Sequence, residues 1–277
     1  MMKKIANQIL TVTLSLALAA CSVQSAKPSG QREEHAADTN SEKKESLPSS
    51  AHWSYEGDTG PEHWGEIDPA NSACVNGSEQ SPINIEFSQV QTKKAAEDLH
   101  INYQPALFTI MNNGHTVQAN AVDDGNSVMI EGKEYKLAQF HFHTPSEHQF
   151  NGQNYEMELH LVHKDMKGNI AVLGLMIREG EENESLISLW NALPTEKTDK
   201  DKSLNEPVLL EALLPDDRSA FAYDGSLTTP PCTEGVKWTV FENPIEMSKK
   251  QIHAFRQIFP DNHRPVQAKN NRKIVKG

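Results

Sequence analysis

Between Leu107 and Ile177 the chain repeats one pattern: a short alternation of apolar and polar residues, then a turn. The alternating stretches are Leu107–Ile110, Val117–Ala121, Ser127–Ile130, Tyr135–His143, Met157–His163 and Ile170–Ile177, and Val236–Phe241 repeats the pattern further on. Asn112-Asn113-Gly114, Asp123-Asp124-Gly125-Asn126, Glu131-Gly132-Lys133, Asn151-Gly152 and Lys167-Gly168-Asn169 separate them. A period of two marks half-buried strands, and Asn-Gly or Asp-Gly pairs favour tight reversals. Strands joined this closely pair antiparallel, because parallel neighbours need a long crossover. Glu184–Ala192 carries Leu186, Ile187, Leu189 and Trp190 at helical spacing and stops before Pro194. Ser248 caps a second predicted helix, whose apolar face is Ile252, Phe255 and Phe259 and which Pro260 ends. A short helical turn is predicted near Val208–Leu213. The expected fold is mainly β (α+β): a large central twisted, mostly antiparallel sheet with a few short peripheral helices, in a single domain.

The first fifty residues obey other rules. Residues 1–21 have a basic start at Lys3 and Lys4, an apolar run from Ile9 to Ala20, and the ending Leu18-Ala19-Ala20-Cys21. The run is short for a membrane span and closes on small residues, as export signals do. An ordinary secretory signal or a short buried helix would share these features. Leu-Ala-Ala-Cys-Ser resembles the bacterial lipobox, whose cysteine is lipidated and becomes the new N-terminus, so Cys21 is the expected lipidation site. Residues 22–50 contain no aromatic residue and are rich in Ser, Glu, Lys, Gln and Ala. Such a stretch buries too little apolar surface to offset its ordering entropy and is expected to be a flexible tether with a reach of roughly 30 Å.

Trp53, Tyr55 and Trp64 mark the start of the domain, taken as residues 51–277. The expected location is outside a bacterial membrane, on the cell surface or the periplasmic side, held by the lipid. Net charge is −12, and loss of Lys3 and Lys4 with the leader takes it to −14. Phosphate backbones require a basic footprint, so nucleic acid is excluded as a partner. With Cys21 lipidated, Cys74 and Cys232 remain as a pair in an oxidising compartment; two free buried thiols are the alternative.

Side chains alternate faces along a strand. In Leu137-Ala138-Gln139-Phe140-His141-Phe142-His143, His141 and His143 therefore share a face with Gln139, while Phe140 and Phe142 take the other. In the next stretch Glu158, His160 and Val162 share one face, and Leu159, Leu161 and His163 the opposite one. If the two strands are neighbours with faces aligned, His141, His143 and His160 converge. Three neutral imidazoles with a fourth position open to water make a catalytic Zn2+ site. Gln139 and Glu158 stand on the correct face to accept the imidazoles' other N–H groups. A lone His-x-His would be an ordinary polar or core feature; two on one strand and a third on the next form a ligand set.

Gln139-Phe140-His141-Phe142-His143, Ser146-Glu147-His148 and Glu158-Leu159-His160-Leu161-Val162-His163 resemble the zinc-site signature of the alpha carbonic anhydrases. Trp53-Ser54-Tyr55, Gly60-Pro61-Glu62-His63-Trp64, Gln80-Ser81-Pro82-Ile83-Asn84-Ile85, Asn112-Asn113-Gly114-His115, Ala171-Val172-Leu173-Gly174, Ser226-Leu227-Thr228-Thr229-Pro230-Pro231 and Asn262-His263-Arg264-Pro265 follow in that family's order. The resemblance implies reversible hydration of CO2 to bicarbonate, with Zn2+ as cofactor and CO2, bicarbonate and water as partners. It implies that His141, His143 and His160 hold zinc, that Gln139 and Glu158 orient His141 and His160, and that the Asn262 carbonyl accepts from His143. Thr228 and Glu147 would aim the nucleophile, and Val162, Val172, Leu227, Thr229 and Trp238 would line the substrate pocket. His115 would move protons, aided by water near Tyr55, Asn113 and Gln118. Cys74 and Cys232 stand where bacterial members form a disulfide, and a homodimer is a further expectation from such members.

His148, His163, Glu62, His63, Trp64, Asn84 and Arg264 are expected to be structural. Thr144-Pro145-Ser146 is shorter than the matching segment of animal members. Two rival readings are a zinc-binding surface lipoprotein and a non-catalytic binding protein on the same fold. The twelve histidines are dispersed, and storage needs neither Thr228, Glu147 nor an apolar wall.

Overall fold

The computed structural model describes residues 52–92 and 99–277. The leader, Cys21 and the tether lie outside the described residues. The strands are β1 (Asn84–Ile85), β2 (Gln91–Thr92), β3 (Leu99–Asn102), β4 (Phe108–Asn112), β5 (Val117–Ala121), β6 (Ser127–Ile130) and β7 (Lys133–His143). They continue as β8 (Gln149–Phe150), β9 (Met157–Lys164), β10 (Ile170–Glu179), β11 (Lys202–Ser203), β12 (Ala220–Ser226), β13 (Glu234–Met247) and β14 (Val275–Lys276). Twelve of them form one sheet in the order β11-β4-β5-β7-β9-β10-β13-β12-β14-β2, with β6 pairing β7 and β3 pairing β6. β1 and β8 form a separate parallel pair.

The mainly β, mostly antiparallel reading holds, with a parallel joint where β10 meets β13 and another where β14 meets β2. The seven predicted strands all form, with small shifts: β4 begins at Phe108 and runs to Asn112, and β13 extends to Met247. β12 was not predicted, because its Asp224-Gly225 reads as a turn. In the fold Gly225 sits inside the strand, where a Cβ would meet Ser81 Oγ at 2.2 Å.

Among the described residues, four short α-helices flank the sheet: α1 (Trp64–Ile67), α2 (Ala73–Asn76), α3 (Ile187–Asn191) and α4 (Lys249–Arg256). The Glu184–Ala192 prediction resolves into a 3-10 turn, Glu184–Leu186, running into α3. α4 starts at the predicted Ser248, whose side chain accepts from Gln251 N while the Gln251 side chain reciprocates. That capping box satisfies two otherwise orphaned donors.

β9 is buried on both faces, which places the ligand strand at the centre of the sheet. Phe108, Phe140, Phe142, Leu159, Leu161 and Phe255 belong to the core on one side. Val162, Val172, Phe221, Tyr223, Trp238 and Val240 form the core on the other. β7 carries a bulge at Ala138: Leu137 pairs with His163, but Gln139 pairs with Val162. The extra residue resets the alternation, so Leu137 and Phe140 pack into the same core. Without it, an odd-numbered face shared with Leu137 would have carried Gln139, His141 and His143 into the hydrocarbon layer.

Cys74 of α2 and Cys232 are bridged, closing a separation of 158 residues. The bridge restrains the segment directly after Thr228. Cys74→Ser is expected to lower stability by about 2–5 kcal/mol, the usual cost of losing a native disulfide. Denaturant melts under oxidising conditions check this, and a reductant should bring the unaltered protein to the same midpoint.

His163 is fully buried on the core side, with Nε2 2.7 Å from Tyr103 Oη and the rings stacked. Burial lowers its pKa to about 4. The folded chain thus resists a proton that the unfolded chain accepts below about 6.5. Its contribution is complete above pH 6.5 and declines as pH falls towards 4, by about 3 kcal/mol in all. Replacing both partners, His163→Leu with Tyr103→Phe, should remove that share of the acid slope in denaturant titrations.

Candidate active site

His141 and His160 lie directly opposite each other in the β7–β9 register, and His143 lies opposite Glu158. The ring centroids of His141, His143 and His160 are 5.0, 5.3 and 4.7 Å apart pairwise. One nitrogen from each ring falls within 4.8 Å of the others. The faces inferred from strand alternation are therefore aligned, and the three rings meet.

Each ring is held from behind. His141 Nδ1 lies 2.9 Å from Gln139 Oε1, His143 Nδ1 2.7 Å from the Asn262 carbonyl, and His160 Nε2 2.9 Å from Glu158 Oε1. These acceptors place the ring hydrogens, so the free lone pairs are Nε2 of His141, Nε2 of His143 and Nδ1 of His160. Burial is the largest influence on each ring and lowers all three pKa values, that of His143 to about 4. The rings are neutral, the form that ligates metal. His143 Nε2 is buried with no hydrogen-bond partner. A buried orphan nitrogen aimed at two other imidazole lone pairs fits a divalent ion, and this donor set suits zinc.

Asn262 reaches His143 across 119 residues because its side chain locks the end of β7. Its Oδ1 accepts from Thr144 N, and its Nδ2 donates to the His115 and Phe142 carbonyls. Glu147 is fully buried; its Oε1 accepts from Arg264 N at 2.8 Å, and Oε2 has no partner. Burial raises its pKa, opposed by His160, the Thr228 hydroxyl and the Arg264 N–H. Thr228 is likewise buried. Val162, Val172 and Trp238 sit abreast on β9, β10 and β13 and are buried; Leu227 and Thr229 are half-buried.

His115 stacks on Trp53, with centroids 3.7 Å apart and planes 8° from parallel, and Tyr55 stands 6.5 Å away. Burial, then His52 and Lys197, lowers the His115 pKa to about 4. Asn113 Oδ1 accepts from His115 N and Thr116 N, while Asn113 Nδ2 reaches Gln118 at 3.5 Å. Gln118 lies opposite His141.

Two residues assigned to scaffold touch the site directly. Besides its N–H to Glu147, Arg264 donates its guanidinium to Gln80, the Ser81 carbonyl and the Cys74 carbonyl. His148 Nδ1 lies 2.7 Å from Glu158 Oε1. Gly174, opposite His160 on β10, leaves room for that carboxylate: a Cβ there would come within 3.0 Å of Glu158 Oε1. The sequence signal for His148 was its place next to Glu147; nothing local pointed to its partner eleven positions from that carboxylate.

The family model for eukaryotic-type carbonic anhydrase matches residues 59–277. A carbonic anhydrase of Pectobacterium carotovorum is 40% identical over 232 residues, covering 83% of this chain and 93% of its own. One from Klebsiella pneumoniae is 42% identical over 227 residues, covering 81% and 91%. The alpha carbonic anhydrase of Thermovibrio ammonificans, solved with the inhibitor sulfanilamide, superposes with a TM-score of 0.79 at 42% identity, covering 82% of this chain and all of that one. The chain belongs to the eukaryotic-type, or alpha, carbonic anhydrase family and is an enzyme of that class.

Proposed function

We propose that this chain catalyses the reversible hydration of CO2 to bicarbonate and a proton, with zinc held by His141, His143 and His160. The observation that carries the reading is the trio of free imidazole lone pairs facing one point beside Glu147, Thr228 and an apolar wall. Zinc, when bound, acidifies a coordinated water enough to supply a nucleophile at neutral pH, a property for which this enzyme class is itself the standard example.

The chain's own residues do the rest. Val162, Val172, Leu227 and Trp238 offer CO2 a surface without donors, where an apolar gas displaces water cheaply. Glu147, when ionised, can only accept, so a Thr228 hydroxyl turned towards it would give its hydrogen to the carboxylate. The Thr228 oxygen is then left to accept from the nucleophile and fix its orientation. Thr228→Ala is expected to lower turnover about a hundredfold, the scale for losing one preorganised hydrogen bond at a reacting centre. Zinc content measured by atomic absorption should stay at one per chain.

His115 would carry the released proton. Stacked on Trp53 its ring is a poor base at neutral pH; swung towards solvent it regains a pKa near ~6.5, where uptake and release are both easy. Export, lipid attachment at Cys21, placement outside a bacterial membrane and homodimer formation belong to the same reading. They rest on the leader and the resemblance alone.

Stopped-flow CO2 hydration by the full chain, with and without a strong chelator and after zinc is restored, tests the function. Activity that a chelator removes and zinc returns supports it. Stoichiometric zinc with no hydration overturns it in favour of a zinc-binding lipoprotein, and neither zinc nor hydration favours a non-catalytic binding protein.

A further inference from the structure

The His160–Glu158 contact is one end of a buried chain of side chains that leads away from the substrate pocket. Glu158 accepts four hydrogen bonds: from Glu147 N and His148 N on Oε2, and from His148 Nδ1 and His160 Nε2 on Oε1. His148 Nε2 lies 2.6 Å from Tyr223 Oη, and Tyr223 Oη lies 2.9 Å from Ser81 Oγ. Ser81 Oγ accepts from Ser226 N, Ser226 Oγ accepts from Ser81 N, and Ser226 Oγ donates to the Leu227 carbonyl. Glu158, His148, Ser81 and Ser226 are wholly enclosed, and Tyr223 is 5% exposed. The chain closes a ring from a metal-facing imidazole back to the segment that carries Thr228.

The hydrogens along this chain have one consistent direction. An ionised carboxylate donates nothing, so His148 Nδ1 carries a hydrogen. With that hydrogen on Nδ1, Nε2 is the ring's acceptor, and the Tyr223 hydroxyl can donate to it. Tyr223 oxygen in turn accepts from Ser81. Two glycines make the path possible: Gly174 beside Glu158 and Gly225 beside Ser81, where a side chain would also strike Tyr223 and Trp238 within 3.0 Å. A tyrosine placed only to fill the core would not require a glycine, a serine and a histidine arranged around its hydroxyl.

We infer that Tyr223, with His148 and Ser81, is a positioning residue for the metal: it orients Glu158, which holds His160 in the tautomer and rotation that present Nδ1 to the ion. This rests on the proposed zinc site and gives Ser81 a part in it. Outer partners of metal-ligating histidines typically change metal affinity about 10–100-fold. Tyr223 acts through two intervening side chains, so a smaller effect, roughly three- to tenfold, is expected.

The test uses the full chain as Tyr223→Phe, which keeps the ring, and as Ser81→Ala. Zinc affinity is measured by competition with a chromogenic chelator, and release by the rate of zinc loss to excess chelator. Cobalt-loaded protein is followed by its visible absorption. Expected are three- to tenfold weaker zinc affinity and faster release for Tyr223→Phe, a smaller change for Ser81→Ala, and a shifted cobalt spectrum. Thermal melts of the metal-free proteins separate positioning from packing. Unchanged affinity, release and spectrum in Tyr223→Phe overturn the inference, including when its metal-free melting point falls. If the unaltered chain takes up no zinc, the site reading itself fails, a different and distinguishable result.

Discussion

Replacing His141 by alanine is expected to weaken zinc binding on the order of a thousandfold. Structural zinc sites with four ligands are worth about 10–16 kcal/mol at neutral pH, or roughly 4 kcal/mol for each ligand at the upper end. His141 lies on the open side of the site and is half-buried, so alanine there leaves room for water rather than a strained void. His143 and His160 keep their acceptors on Asn262 and Glu158, and the remaining pair stays aligned. The variant should fold, elute without zinc after dialysis, and show no CO2 hydration until zinc is raised far above the level that saturates the unaltered chain. Chelator competition and elemental analysis read the outcome. A variant that holds stoichiometric zinc at the same affinity removes His141 from the ligand set.

Glu158→Ala carries the largest expected cost to the fold. The carboxylate is fully buried and serves four donors, two of them backbone N–H groups at the Glu147–His148 turn. Alanine orphans all four at once, and removing one partner of a buried charged network typically costs about 3–5 kcal/mol. At this domain size that is a loss of about 10 °C in melting temperature. Burial pushes the Glu158 carboxyl up, but His148 and His160 outweigh it and hold it well below its ordinary value of 4.5. With the folded pKa depressed, the carboxylate's contribution is present above the unfolded value and is lost as pH falls through the folded one. The deficit of Glu158→Ala should therefore be largest near neutrality and shrink in strong acid. Denaturant unfolding of the metal-free proteins at neutral pH and in strong acid checks both the size and the sign. A deficit independent of pH would mean that Glu158 stabilises by packing alone.

Both predictions draw on residues that were legible early. A strand has a period of two, so Gln139, His141 and His143 had to share a face, as did Glu158 and His160. Glu147, Thr228 and Asn262 were reached through the family resemblance, because no local periodicity links them to the histidines. Asn262 meets His143 over 119 residues, and Arg264 meets Glu147 over 117. The bulge at Ala138 was not legible: alternation from Tyr135 to Phe142 cannot remain in one phase and also bury Leu137 with Phe140. Only pairing against β9 shows where the phase slips.

The sequence by itself determined the strand faces, the turns between them, and therefore which imidazoles could share an ion. Those are properties of a few consecutive residues, governed by backbone geometry. Tertiary structure alone decided what stands behind the imidazoles' acceptors: Tyr223 behind His148, His148 behind Glu158, and a glycine at each end of that path. Such contacts join residues up to 145 positions apart, where chain connectivity imposes no pattern and only close packing selects the partner.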